Sequence, residues 1–350
     1  MKKSVYSALA IFLICINSFA GNPFPAGSTW DAFGDSITAG DILIDYFGLV
    51  RTATGWTGVN HGIGGSTAYR QGVQIYALSV GQSTLSSSFI GTNDTSFLTT
   101  TARETAWRRI LEAEYIWLLT PTKSLGQALS VTGTWANSDI NPSFGIKSAT
   151  NGSTATASVS GSTVYVGFWA TLNNAASVNV TIDSVDKGQF TPATLYTDSQ
   201  SLSTAPFAIR ISGLSSGTHT VVVTLTAANA STLYLDYITS NGNQLTGAGP
   251  VLYVLTPYLT ASETIAQRNT VVSNIQIAVS EISSDGLGIQ LVNVTDACEA
   301  NCHNGDGIHP DAAGYQIIAN AMLAAIANLW NPARSPAYCS NQLYSIEVMA

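Results

Sequence analysis

The sequence predicts a parallel, doubly wound α/β sheet whose chain is interrupted by an inserted all-β sandwich. Three observations predict it. Strand and helix patterns alternate from Thr29 to about Thr120, and again from Gly249 onward. From about Gly126 to Gly247 helical periodicity vanishes, and short β-rich runs follow one another between Ser, Gly and Asn turns. Val251 to Leu255 is an unbroken apolar run, the kind of strand that parallel sheets bury on both faces. The resulting organisation is a signal peptide over residues 1–20, an α/β domain in two parts (21–125 and 248–350) and the insert over 126–247.

Taken in order, the chain begins with Lys2 and Lys3, an apolar run from Val5 to Ile16, and Ser18-Phe19-Ala20. Small residues at the two positions a signal peptidase reads predict a secretory signal cleaved after Ala20. The run is too short for a retained membrane helix, and no later stretch is long and apolar enough to cross a bilayer. A secreted or periplasmic protein is expected. A first strand leads into Gly34, a second surrounds Gly58 to His61, and a third, poor in Val and Ile, ends at Ile90. A helix is predicted from about Ala102 to Leu119, opened by a Thr101/Glu104 capping box and stopped by Pro121. Within the insert, strands are predicted over 162–170, 177–182, 207–211, 219–225 and 232–238. Thr260 and Glu263 predict a second capping box and a helix to about Ile282; a strand over 289–294 and a helix from Asp311 to Leu329 complete the chain. The abrupt change of texture at both ends of the insert predicts that the α/β part is complete without it.

Charged residues make up only 10 % of the chain, and the net charge is −8. That balance, with no cluster of Lys and Arg, argues against a nucleic-acid partner. Three cysteines, Cys298, Cys302 and Cys339, remain after signal removal. In an oxidising compartment an odd count implies one disulfide and one free or intermolecular thiol. Cys298 with Cys302 is the simplest pair; Cys339 is the alternative member. His303 stands beside them, but two cysteines and one histidine fall short of a tetrahedral metal set.

Four short segments fall at expected strand ends. Gly34-Asp35-Ser36 places a serine at a strand-to-helix turn, without the second glycine of a G-x-S-x-G elbow. Asp306-Gly307-Ile308-His309-Pro310 places a carboxylate three residues before a histidine, so one loop can supply a general base and the anion that orients it. Asn60-His61-Gly62-Ile63-Gly64-Gly65 leaves a backbone N–H accessible, and Gly91-Thr92-Asn93-Asp94 offers a side-chain amide. Both suit an oxyanion hole, where each donor contributes roughly 3 kcal/mol to the transition state. Asp94 reads as a brace for its own loop.

In this order the four segments resemble the four blocks of the SGNH/GDSL serine hydrolase family, over the chain outside the insert. The resemblance implies a flavodoxin-like sheet and makes Ser36 the nucleophile and first oxyanion donor. It makes Gly65 the second donor, Asn93 the third, and Asp306 and His309 the acid and base of a triad. Ile37 stands where the family usually has leucine. No metal or organic cofactor is implied. The insert resembles, less specifically, the galactose-binding-like jelly rolls used as carbohydrate-binding modules, through 217–223 and 233–238. Trp135, Trp169, Tyr196 and Tyr237 could stack on sugar rings or fill the core. The activity implied is hydrolysis of a carboxylic ester, often a short acyl group on a sugar or a lipid, and the substrate expected is an acylated, chiefly acetylated, extracellular polysaccharide. A lipase or general carboxylesterase is the first alternative and a polysaccharide O-acyltransferase the second; a non-catalytic binding protein fits less well with five retained positions.

Overall fold

The computed structural model describes residues 24, 26–40, 44–77, 85–140, 143–242, 250–295, 298 and 302–329. The expected signal peptide with its cleavage after Ala20, Cys339 and the junction near Gly247 lie outside the described residues.

Five parallel strands form one sheet: β1 (Thr29–Gly34), β2 (Thr57–Asn60), β3 (Leu85–Phe89) and, beyond the β-rich region, β16 (Val251–Leu255) and β17 (Gly288–Val292), in the order β17-β16-β3-β1-β2. The period-2 geometry of a strand divides their side chains between two cores. Ala32, Tyr253 and Leu255 join one with helices α2 (Tyr46–Thr54) and α6 (Ala312–Leu329), whereas Phe33, Leu252 and Val254 join the other with α3 (Ala68–Ala77), α4 (Thr101–Leu119) and α5 (Ile265–Ser284). A four-residue helix, α1 (Ser36–Ala39), follows β1 directly.

The weak third strand lies at the centre of this sheet, and all five of its residues are buried. Two of its three serines, Ser87 and Ser88, are usable there because side chains on opposite faces satisfy them. Trp30 Nε1 donates to Ser87 Oγ at 3.0 Å, and Gln71 Nε2 donates to Ser88 Oγ at 3.0 Å. A buried hydroxyl without such a partner would cost about 1–3 kcal/mol.

Two helix starts differ from the sequence reading. The cap of α4 is Thr100, whose hydroxyl accepts from the Arg103 N–H at 3.3 Å. The cap of α5 is Thr264 with Gln267, one turn beyond Thr260 and Glu263. The earlier pair does interact, through the Glu263 N–H to Thr260 O and the Thr260 N–H to Glu263 Oε2, but this closes a turn ahead of the helix.

Two further sheets occupy the stretch between α4 and β16. One has the order β11 (Val185–Phe190), β10 (Ser177–Ile182), β14 (Gly217–Ala227), β8 (Thr154–Gly161), β5 (Ser130–Thr132). The other runs β12 (Ala193–Thr194), β9 (Val164–Leu172), β15 (Leu233–Ser240), β7 (Ile146–Ser148), β6 (Ala136–Asn137), with β13 (Thr204–Ile211) on β9 and β4 (Ser124–Leu125) on β15. β4 draws the β-rich region in two residues ahead of Gly126. Between the sheets lies a core that includes Val166, Phe168, Val180, Val223 and Leu235.

The α/β part shares one of its two cores with these sheets. The outer face of β9 and β15 is also buried, and Tyr165, Trp169 and Tyr237 join the same core as α3, α4 and α5. Tyr76 of α3 stacks on Trp117 of α4 with ring centroids 4.2 Å apart, and Trp117 meets Tyr237 at 5.5 Å and Phe144 at 4.9 Å. At Gly72 of α3 a Cβ would stand 2.5 Å from Pro206 Cγ of β13, so helix and sheet touch at backbone distance. At the far end Asp285, which caps α5, accepts from Arg210 Nε at 2.7 Å, Tyr165 OH at 2.6 Å and Thr163 Oγ1 at 3.0 Å, all from the β-rich region. Three of the four aromatic side chains considered as sugar platforms, Trp169, Tyr196 and Tyr237, are therefore core. Trp135 donates its indole N–H to Thr154 O at 3.0 Å and packs at the edge of the intersheet core.

Candidate active site

The four motif segments meet beyond the carboxyl ends of β1, β2, β3 and β17, where ligands bind in open parallel sheets. Ser36 is the first residue of α1. Asp35 caps that helix, with Oδ1 accepting from the Ile37 N–H at 2.9 Å, so the serine leaves the sheet at a fixed angle. The loop after β2 is laced to the same turn. Asn60 donates Nδ2 to Thr38 O at 2.6 Å and accepts the Gly62 N–H at 2.9 Å. A Cβ at Gly62 would lie 2.2 Å from the Ala39 nitrogen, which is why the close approach requires glycine.

The loop after β17 brings the histidine. Cys298 and Cys302 form a disulfide with Cα atoms 5.2 Å apart, both buried, and the Asp311 N–H donates to Cys302 O at the start of α6. Tyr258 OH donates to Ile308 O at 2.9 Å and the Ala261 N–H to Gly307 O at 2.8 Å, pinning the loop from the side of β16. His309 then sits with Nε2 at 2.8 Å from Ser36 Oγ and Nδ1 at 2.7 Å from Asp306 Oδ2. The other carboxylate oxygen of Asp306 accepts the N–H groups of Ile308 and His309 at 2.8 and 2.9 Å. The imidazole bond, aided by those two N–H groups, holds the Asp306 carboxyl well below the usual range. Asp306 therefore stays an anion, and the Nδ1 proton of a neutral His309 points at it.

Asn93 joins the loop after β2 and the Asp35 carboxyl beside Ser36. Its Nδ2 donates to Ser66 O at 3.0 Å and lies 3.4 Å from Asp35 Oδ2, a long contact that leaves the second hydrogen loosely held. Burial pushes Asp35 up to about 7, partly countered by the Ile37 N–H and the nearby His309. Gly65 lies in a turn at φ +70°, and its N–H takes no hydrogen-bond partner among the described residues. Asp94 accepts the Ala68 N–H at 3.2 Å and Trp107 Nε1 at 2.9 Å, so it caps α3 and braces its own loop.

Sequence reasoning missed two residues at this site, Asp198 and Gln200. They belong to the turn between β12 and β13, where Asp-Ser-Gln reads as an ordinary polar turn. Gln200 Nε2 donates to Gly65 O, Arg70 Nη1 donates to Gln200 Oε1 at 2.6 Å, and Thr67 Oγ1 donates to Asp198 Oδ2. Only the packing of the β-rich region on α3 brings that turn here.

No family model and no curated protein matches the chain. Solved structures similar to it include an α/β hydrolase from the metagenome of Lake Arreo, Spain, at 17 % identity, covering 88 % of this chain and 99 % of that one with a TM-score of 0.40. A catalytic mutant of an acetylxylan esterase from Geobacillus stearothermophilus is similar at 13 % identity, with 87 % and 95 % covered and a TM-score of 0.39. A third, the CBM36-1 domain of a multidomain xylanase from the hindgut metagenome of Trinervitermes trinervoides, shares 21 % identity over 33 % of this chain and 93 % of its own, with a TM-score of 0.27.

Proposed function

We propose that the chain is a serine esterase of the SGNH kind, which cleaves carboxylic esters through an acyl-enzyme on Ser36. The observation that carries this reading is the unbroken hydrogen-bonded line from Ser36 Oγ through His309 to Asp306. His309 takes the Ser36 proton as the oxygen attacks the ester carbonyl, and Asp306 stabilises the imidazolium that forms. The carbonyl oxygen, now negative, accepts from the Ser36 and Gly65 N–H groups and the second hydrogen of Asn93 Nδ2. His309 returns its proton to the departing alcohol. Water then attacks the acyl-enzyme with the same histidine as base, releasing the acid and restoring Ser36.

The substrate proposed is an acylated, chiefly acetylated, extracellular polysaccharide, as the motif resemblance implies, and the compartment is secreted or periplasmic. The β-rich region is read as a sandwich inserted into the hydrolase domain. The test is acetate release from a panel of acetylated polysaccharides with Ser36→Ala as control, alongside a fluorophosphonate probe. Release by the wild type alone and labelling at Ser36 alone are expected. Labelling elsewhere, or full activity in Ser36→Ala, overturns the assignment.

A further inference from the structure

We infer that the sandwich acts in catalysis as a clamp on the oxyanion loop, with Gln200 as a positioning residue for the Gly65 N–H. This inference rests on the esterase reading above. Within 4 Å of where a Cβ would stand at Gly65, the one atom among the described residues outside its chain neighbours is Gln200 Nε2, at 3.3 Å; at Gly64 there is nothing. The side of the turn that a side chain would occupy at these two consecutive glycines is thus open apart from Gln200, and glycine has the widest conformational freedom of any residue. A donor from such a turn helps the transition state only if it is already aimed.

Aim is supplied from the sandwich side. The Gln200 amide takes the Gly65 carbonyl, while its own oxygen is held by Arg70 of α3. Two residues along, Thr67 donates to Asp198, whose other oxygen accepts the N–H groups of Gln200 and Leu202 at 2.9 and 2.7 Å. The clamping turn is therefore itself rigid, and it grips the oxyanion loop on both sides of Ser66. Ser66 in turn accepts from Asn93, so both proposed oxyanion donors outside Ser36 depend on one short segment. Tyr196, just before the clamp, stacks on Phe97 at 5.4 Å and receives Arg103 over its ring, which seats the turn against the loop that carries Asn93.

The test compares wild type with Gln200→Ala, Gln200→Glu and Thr67→Val on a small soluble ester. Gln200→Glu keeps the acceptor for Arg70 but cannot donate to Gly65. Each variant should lose about tenfold in kcat with KM within about twofold, because a small misplacement of a catalytic group is costly in rate and not in binding. Thermal midpoints should stay near the wild type for both Gln200 variants. Unchanged kcat in Gln200→Ala, full kcat in Gln200→Glu, or a loss confined to KM overturns the clamp. A wild type that hydrolyses no ester and escapes the fluorophosphonate probe overturns the esterase reading, and the clamp with it; an active wild type with an unaffected Gln200→Ala overturns the clamp alone.

Discussion

The two faces of the parallel sheet are finished in different ways. On one, α2 and α6 cover the core around Tyr46, Phe47, Ile318 and Met322, together with the loop residues Phe24, Trp56, Tyr258, Cys298 and Cys302. On the other, α3 and α4 lie between two sheets, and Trp117 and Tyr76 look outward into Phe144, Trp169 and Tyr237 of the sandwich. Helix α4 carries Arg108, Arg109, Glu112 and Glu114 among its apolar residues, yet every residue from Ile110 to Trp117 is buried, the two glutamates included. Along α4, Trp107, Ile110, Leu111, Ala113, Tyr115, Ile116 and Trp117 are all buried, so its outer surface is as much core as its inner one. The lesson is that the β-rich stretch between α4 and β16 shares one hydrophobic core with the helices on this face.

The largest effect that would break this comparison is removal of residues 126–242 with a short linker in their place. The trimmed chain should fail to fold, because it exposes the aromatic cluster around Trp117 and strips Asp285 of three donors. A soluble, cooperatively melting trimmed protein would show that the shared core is dispensable.

Trp117→Ala should cost about 3–5 kcal/mol, the usual range for removing a large buried aromatic. Amide exchange in β9 and β15 should quicken along with that in α4. Met322→Ala, on the face that α2 and α6 cover, should cost about 2–5 kcal/mol and leave β9 and β15 protected. Equal protection loss from both variants would erase the distinction between the faces.

Asn93→Ala is expected to lower kcat about a hundredfold, or about 2.7 kcal/mol, with modest change in KM. A rise in KM alone would make Asn93 a substrate contact.

The smallest effect is on pH dependence. Burial lifts Asp35 and Asp94 to about 7 from an ordinary 3.8, so between those values the folded chain holds protons that the unfolded chain has released. Their contribution to stability is therefore full at low pH and is lost as pH rises through about 7. Asp306 opposes them only at lower pH, since its depressed value makes its contribution vanish as pH falls below 3.8. The thermal midpoint should rise between pH 8 and pH 5, and Asp94→Asn, on the shared face, should flatten that slope. A midpoint that falls over this window contradicts the assignment.

Much of this was legible beforehand where the signal is local. Strand β16 has the predicted bounds, Val251 to Leu255, because an unbroken apolar run buried on both faces from Leu252 onward suits the interior of a parallel sheet. The line of Ser36, His309 and Asp306 could be anticipated because each group lies in a short motif at a strand end. Helix starts were displaced where two Thr-x-x-Glu/Gln patterns compete within one turn, as at Thr260 and Thr264. The serine-rich β3 read weakly because its partners, Trp30 and Gln71, lie elsewhere in the chain.

By itself the sequence determined the alternation of textures, the burial of the apolar strands and which residue types stand at strand ends, all consequences of period and propensity within about ten residues. Only the tertiary structure decided that Tyr76, Trp117, Trp169 and Tyr237 share one core, that Asp285 is bound by Arg210, and that Gln200 reaches Gly65. Those contacts include pairs 75, 135 and 161 positions apart. They depend on how one layer seats on another, and no local pattern of side chains encodes that geometry.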